Sequence, residues 1–290
     1  MLPRRHIRIK VFQTLYSYIQ KKEETLTIKN EFQKNLQSYL ELYHIVIDFL
    51  VLFKEVASDE IDIKLKKFFP TDEDLKPNKR FVKNKILSNL KLKKNKDIDY
   101  DKLKRIIKKI FKKIEKSTKY IKFMNSKNNS INHDRKFIIY LLRKYLITNE
   151  KIHEFIEEYS IYCNDDLVIV YHTIIEKLNN EQKLRSNKIF RNPEDKLFAK
   201  NLLNFTLKNN DKLNSNVFKL VKNWDIERIA LSDLILIKMA ISENLFIKNI
   251  PYKVTLDEYI EISKDYSTPK SKEFINGILD VFMKDILAEQ

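Results

Sequence analysis

Three of the chain's ten arginines, Arg4, Arg5 and Arg8, lie within its first eight residues, and Lys10 follows them. Arg8 comes one helical turn after Arg4, so on a helix the two side chains share a face. A guanidinium fork matches the geometry of a phosphate, and the unpaired N–H groups at a helix start favour the same anions. Cations at that end oppose the helix dipole, at a cost of a few tenths of a kcal/mol each where exposed. A merely solvated helix start would more naturally carry acids, whereas residues 1–22 contain none. The chemistry this spacing points to is phosphate binding.

Other chemistries are excluded by what the chain lacks. With one glycine in 290 residues, no P-loop, dinucleotide turn or nucleophile elbow can be written. A lone Cys163 gives no disulfide framework and no CxxC knuckle, and reads as a small buried hydrophobe. His6, His44, His133, His153 and His172 form no metal-ligand spacing. No catalytic residue, metal or cofactor is expected, and the protein reads as a non-enzyme.

The sole glycine, Gly277, sits inside a helical pattern at Phe274-Ile275-Asn276-Gly277-Ile278-Leu279-Asp280. Glycine in a helix interior costs roughly 1 kcal/mol relative to alanine. Close helix packing, or close approach of a partner to the backbone, is the expected reason for keeping it.

The elements that position these residues are helices. Six prolines and one glycine leave few breakers, and apolar residues recur at helical spacing nearly throughout. The chain is all-α. A first amphipathic helix covers residues 4–20, with Ile7, Val11, Leu15 and Tyr18 on one stripe. A second runs from about Glu31 to Val56. Pro70 and Pro77 bracket a break, and residues 125–130 read as a loop. No apolar run is long enough to span a membrane. Lys10 and Gln13 interrupt any secretory h-region; a transit peptide is the minor reading of this acid-free start, and a reducing cytoplasm fits best.

Charge is segregated. Residues 76–127 hold 20 Lys+Arg and 4 Asp+Glu, while residues 1–75 hold 12 and 12, and residues 128–290 hold 24 and 24. The whole excess of +16 therefore lies in one stretch, whose helical part runs from Tyr100 to about Met124. Lysines 102, 104, 108, 109, 112 and 113 form an auxiliary basic surface that suits either solvent or nucleic acid.

An internal echo follows. Phe137, Leu141, Leu142, Leu146, Asn149, Ile152 and Ile156 recur 61 residues later as Phe198, Leu202, Leu203, Leu207, Asn210, Leu213 and Val217. The same offset sets Cys163 against Trp224. In the last third, a helix from about Ile226 to Phe246 is apolar nearly all round and reads as a central core helix. Thr255 and Glu258 have capping-box spacing. Thr268-Pro269 reads as a cap followed by a first helical proline.

Taken together, Arg4-Arg5-His6-Ile7-Arg8, Val11-Phe12-Gln13-Thr14-Leu15-Tyr16-Ser17, Trp224, Arg228, Ile250-Pro251-Tyr252-Lys253-Val254 and Phe274 to Asp280 resemble the bacterial transcription antitermination factor NusB family. The likeness covers residues 1–20 and about 194–288. It implies an all-helical double bundle that binds a boxA-type single-stranded ribosomal RNA leader. It also implies pairing with a small ribosomal protein in the NusE role, and read-through by the transcription elongation complex. By position, Arg4, Arg5 and Arg8 with Lys10 would meet phosphates, and Gln13 and Tyr16 could reach bases. Lys264, Phe274 and Asn276 would extend the RNA or partner contact.

The chain departs from that compact pattern in one way. Residues 25–190 read as a helical insertion between an arginine-rich helix (1–24) and a C-terminal bundle (191–290). Two other classes stay open: a protein-binding helical scaffold without specific RNA recognition, and an RNA module of the kind found ahead of methyltransferase domains.

Overall fold

Seven of the described helices start on a Ser, Thr, Asn or Asp whose side chain accepts from a first-turn N–H: Thr71, Asn84, Asp99, Ser117, Ser130, Asn149 and Asn192. The computed structural model describes residues 1–21, 25–160, 163, 165–221, 229–247 and 249–288. Among them every regular element is helical, apart from a single bridge between Leu2 and Phe190. In chain order these are α1 (Arg4–Lys21), α2 (Thr25–Leu65), α3 (Asp72–Leu75), α4 (Lys85–Ser88), α5 (Tyr100–Glu115), α6 (Thr118–Met124) and α7 (Ile131–Leu141). A five-residue π turn, Leu142–Leu146, continues α7. Then come α8 (Glu150–Tyr159), α9 (Asp166–Asn179), α10 (Pro193–Lys208), α11 (Asn210–Leu220), α12 (Leu231–Phe246), α13 (Tyr252–Tyr266) and α14 (Ser271–Ala288). No helix of the described residues is long and apolar enough to cross a membrane.

Several boundaries differ from the sequence expectation. The basic helix expected over Tyr100 to Met124 is two, because Ser117 donates to the Ile114 carbonyl at 2.7 Å and then accepts from the Tyr120 N–H to cap α6. Trp224 and Arg228 lie outside the described residues, and the core helix begins at Leu231. Thr255 does not cap a helix. Pro251 starts α13 four residues earlier, which frees the Thr255 hydroxyl for other work. Thr268-Pro269 is not the cap and first residue of α14, which begins at Ser271; the Thr268 N–H donates to Ser271 Oγ at 3.1 Å, and the Ser271 N–H to the Thr268 carbonyl at 2.9 Å.

The chain forms two compact units. One comprises residues 1–36 and 189–290, the other residues 37–188. In the first, α12 is packed against α1, α10, α11, α13 and α14. Ile235, Leu236, Ile237, Met239, Ala240 and Ile241 are all buried, as an all-round apolar helix requires. The α1 helix is also sunk in this core: besides Ile7, Val11 and Leu15, it buries His6, Arg8, Ile9, Lys10, Phe12 and Thr14. The single apolar stripe expected of α1 thus widens to most sides of the helix over residues 6–15, while Tyr16, Ile19, Gln20 and Lys21 stay exposed. Its first residues are anchored by Leu2, whose N–H donates to the Ile189 carbonyl at 2.8 Å.

The second unit is built around the apolar run of α2 and an aromatic cluster. Phe81 lies within 6.0 Å of Phe111, Tyr120 and Phe137, and Phe123 stacks on Phe137 at 4.0 Å. Two buried aspartates tie its loops down. Asp48 accepts from the Lys93 N–H, the Tyr100 hydroxyl and the Arg185 guanidinium. Asp134 accepts from Arg80 at 2.5 Å and from the Lys85 N–H at 2.8 Å. Cys163 is fully buried. The two strings of the internal echo fold as α7 to α8 and α10 to α11, the first pair interrupted by the π turn.

His44 sits in this unit with its Nδ1 3.3 Å from the Arg185 guanidinium. Burial, with Lys93 and Arg185 nearby, pushes its imidazole down to about 4. The ring is therefore neutral in the fold, while an unfolded chain takes up a proton below about 6.5. That histidine's contribution to stability should fall as pH drops from about 6.5 towards 4. Thermal melting across that window should show the decline in the wild type, and His44→Gln should lack this component.

Candidate functional site

The start of α1 carries three arginines without a local acid, and the fold supplies three acids from distant helices. Arg4 Nε donates to Asp195 Oδ1 at 2.9 Å, in the first turn of α10. Asp195 suits that place, since a carboxylate complements the positive end of its own helix, and Asn192 caps the same turn by accepting from the Asp195 N–H at 2.7 Å. Arg5 grips Glu258 of α13 through two bonds, at 2.8 and 3.0 Å. These bonds raise the guanidinium's already high pKa. The Arg4 and Arg5 side chains remain 40% and 49% exposed, so both keep donors facing water.

Arg8 is different. Its side chain is 2% exposed and forms a bidentate pair with Glu243 of α12 at 2.8 and 2.6 Å. Glu243 is wholly buried, and also accepts from the Thr255 hydroxyl at 2.8 Å and the Tyr259 hydroxyl at 3.1 Å. The guanidinium lies against the rings of Phe198 at 5.1 Å and Tyr259 at 5.8 Å. Burial disfavours the Arg8 charge, but the bonds to Glu243 outweigh it and the pKa rises. The same burial, with Glu243 adjacent, drives the Tyr259 hydroxyl well above its ordinary value. The expectation that Arg8 meets a phosphate is corrected by this geometry: its donors are turned inward, to Glu243 and, at 3.7 Å, towards Glu258.

Lys10 is corrected in the same way, being fully buried with its Nζ donating to Asn35 Oδ1 of α2 at 2.8 Å. Gln13 Oε1 accepts from the Asn35 amide at 3.3 Å, which orients it on the inner side of α1. Tyr16 is exposed, with its ring 6.0 Å from Phe12, and Phe12 in turn packs edge-on against Tyr266 of α13. Lys264 pairs with Glu261, one helical turn from the Glu258 that holds Arg5. That bond holds the Glu261 carboxyl below its usual range, with Arg5 contributing. Arg5 and Lys264 are thus held by carboxylates on successive turns of α13, Glu258 and Glu261. Phe274 and Asn276 stand on α14, where Asn276 Nδ2 donates to Asp280 at 3.3 Å.

Gly277 is exposed, and a β-carbon built on it meets nothing within 4 Å. Close helix packing is therefore not why glycine stands there. A pocket of about 240 Å³ between α1, α10, α11 and α12 is lined mainly by Leu15, Tyr18, Ile19, Leu207 and Ile235, with Lys238 Nζ held by Asn210 at 3.1 Å. Among the described residues no three His, Cys, Asp or Glu side chains are grouped as metal ligands.

Sequence reasoning missed Asp195, Glu243 and Glu258. One signal was available: Glu243 ends a helix apolar on nearly every side, and an acid in such a position needs a buried cation.

Breaking the buried pair should be costly. Arg8→Ala should lower stability by about 3–5 kcal/mol, because Glu243 is left charged without its partner. The double variant Arg8→Met with Glu243→Leu should recover most of that loss in urea denaturation. Gly277→Ala should raise stability by about 0.5–1 kcal/mol in the same measurement, since the helix gains and the added carbon meets open space.

The NusB family profile matches residues 132–284, just over half of the chain. A transcription antitermination protein NusB of Salinibacter ruber is 42% identical over 94 residues, 32% of this chain and 59% of the relative. One of Chloroherpeton thalassium is 37% identical over 89 residues, 31% of this chain and 42% of the relative. The chain thus spans less than two thirds of the length of either. One of Thermodesulfovibrio yellowstonii is 32% identical over 139 residues, 47% of this chain and 91% of the relative. No solved structure is significantly similar. The match over more than half its length and the near-complete coverage of the last relative establish that this chain belongs to the NusB family.

Proposed function

We propose that this protein is a non-enzymatic, RNA-binding transcription antitermination factor of the cytoplasm. In this reading it binds a boxA-type single-stranded RNA leader, together with a small ribosomal protein in the NusE role, and helps the elongation complex read through terminators. The observation that carries the proposal is the half-exposed pair Arg4 and Arg5 at the start of α1, held by Asp195 of α10 and Glu258 of α13, with Lys264 on α13 beyond, in a chain whose relatives are named transcription antitermination proteins.

The division of labour follows from burial. Arg8 and Lys10 hold α1 in place. Arg4 and Arg5 keep outward donors, and a phosphate would share or displace Asp195 and Glu258. Tyr16 offers an exposed ring to a base, and Gln13 steadies the helix behind it. On α14, the open backbone at Gly277 between Phe274 and Asp280 suits a partner that comes close to the helix. The segment 25–190 is read as an insertion into this frame, and the family match begins inside it, at residue 132.

A scaffold reading draws on the same geometry, because Arg4 and Arg5 already have carboxylate partners. Anisotropy of a boxA-like RNA and a scrambled control, at two salt concentrations, separates the two. Arg4→Ala with Arg5→Ala should weaken boxA binding about tenfold and flatten its log–log salt dependence by about 1.4, as expected when two cations no longer neutralise phosphates on a single strand. Unchanged RNA binding with partner binding retained would establish the scaffold instead.

A further inference from the structure

The basic stretch of the second unit is less available at α5 than the sequence implies. Lys104 is paired with Asp59 at 2.8 Å, Lys108 with Glu60 at 3.2 Å, and Lys102 with Glu158. Arg105, Lys109, Lys112 and Lys113 stay exposed there, and a second run of cations, of which Arg135 is paired with Glu181, lies further on. From Lys116 to Asn149 there are eight Lys or Arg and a single acid, Asp134, which is buried and held by Arg80.

This segment contains the π turn, and π turns are rare and concentrate at functional sites. Its local effect can be read directly. In an α-helix, residues five apart point in different directions, whereas the wider π turn brings them towards register. Tyr140 and Tyr145 are five apart, and their rings meet edge to face at 5.9 Å. Lys119 of α6 lies over the Tyr140 ring at 4.7 Å. Lys136 stands one turn before Tyr140, and Arg143 and Lys144 one turn after it. Lys136, Arg143 and Lys144 are exposed, and among the described residues none of the three has an ion-pair partner. The apolar side of α7, through Phe137, Ile138 and Leu141, is buried.

We propose that this tyrosine pair, framed by Lys119, Lys136, Arg143 and Lys144, is a second binding surface for single-stranded RNA. The inference rests on the reading that the protein binds RNA, and places a further contact on the unit formed by residues 37–188. Aromatic rings bordered by flexible cations are the arrangement that stacks unpaired bases while holding their phosphates. A duplex offers no free base face to the rings. A membrane surface would require an exposed apolar helix face, and here that face is in the core.

The test uses the full chain and a short fluorescein-labelled uridine-rich RNA. Lys136→Ala with Arg143→Ala and Lys144→Ala should weaken binding about tenfold and lower the salt slope by about 2, for three cations on a single strand. Tyr145→Leu, which leaves the charge intact, should weaken it about fivefold or more. The control is Lys91→Ala with Lys94→Ala and Lys96→Ala, ahead of α5. Wild-type affinity and slope in the first triple variant would overturn the proposal, as would an equal loss in the control. So would loss of anionic-vesicle binding with RNA binding intact. The Arg4 and Arg5 variant is run alongside: if it alone loses RNA, only this second surface falls, and if it alone keeps RNA, only the α1 surface falls.

Discussion

A charge that cannot reach water has to meet its counter-charge, and the first unit is arranged around one such meeting. The Arg8–Glu243 pair joins α1 to α12, the two helices buried on most of their circumference. Either charge, buried in that place alone, would be left without compensation. Thr255 and Tyr259 fill the remaining lone pairs of the carboxylate, and the rings of Phe198 and Tyr259 cover the guanidinium. Five residues from α1, α10, α12 and α13 are thereby fixed around one ion pair. A pair of this kind adds little net stability over apolar residues of equal size, but it penalises every packing that separates the partners. Its effect is to fix the position of α1, and with it the direction in which Arg4 and Arg5 face.

The second unit repeats the device with Arg80–Asp134 and Arg185–Asp48. Arginine is scarce in this chain and lysine abundant, and the two are put to different uses. Arg4, Arg5, Arg8, Arg80, Arg135 and Arg185 are all paired with carboxylates; in Arg5 and Arg8 the planar fork holds both oxygens, and Arg80 and Arg185 add backbone carbonyls. Apart from the buried Lys10, Lys177 and Lys238, the lysines lie towards the outside as compact charges. Arg105, Arg143 and Arg191 depart from that pattern and face solvent without an ion-pair partner among the described residues, Arg143 beside a distorted helical turn.

The helical class was legible because apolar spacing near 3.6 is a local property, and Ser or Asn caps are local too. The core role of α12 was readable for the same reason. What could not be read was which face of a helix the rest of the chain would cover. The α1 helix presents a basic outer stripe, and only Asp195, Glu243 and Glu258, some 190 to 250 residues away, show that one of its arginines belongs to the interior. Gly277 misled in the opposite direction: the cost of a helical glycine is visible in the sequence, but whether space is crowded around it is not. Thr255 and Glu258 matched a capping pattern, yet Pro251 begins the helix first and both side chains go to arginine-linked roles. The π turn left no trace in periodicity, since it shifts the register by a single residue.

The separation between Arg8 and Glu243, 235 residues, also sets a timetable. A ribosome adding about 5–20 residues per second needs on the order of 10–50 s to deliver the acid after the arginine. All of residues 37–188 emerge within that interval, so the second unit can fold while α1 is still waiting for its socket. The first helix to be made is therefore among the last to be seated, and any chain that stops before α12 leaves a basic, partly apolar helix with no place in a core.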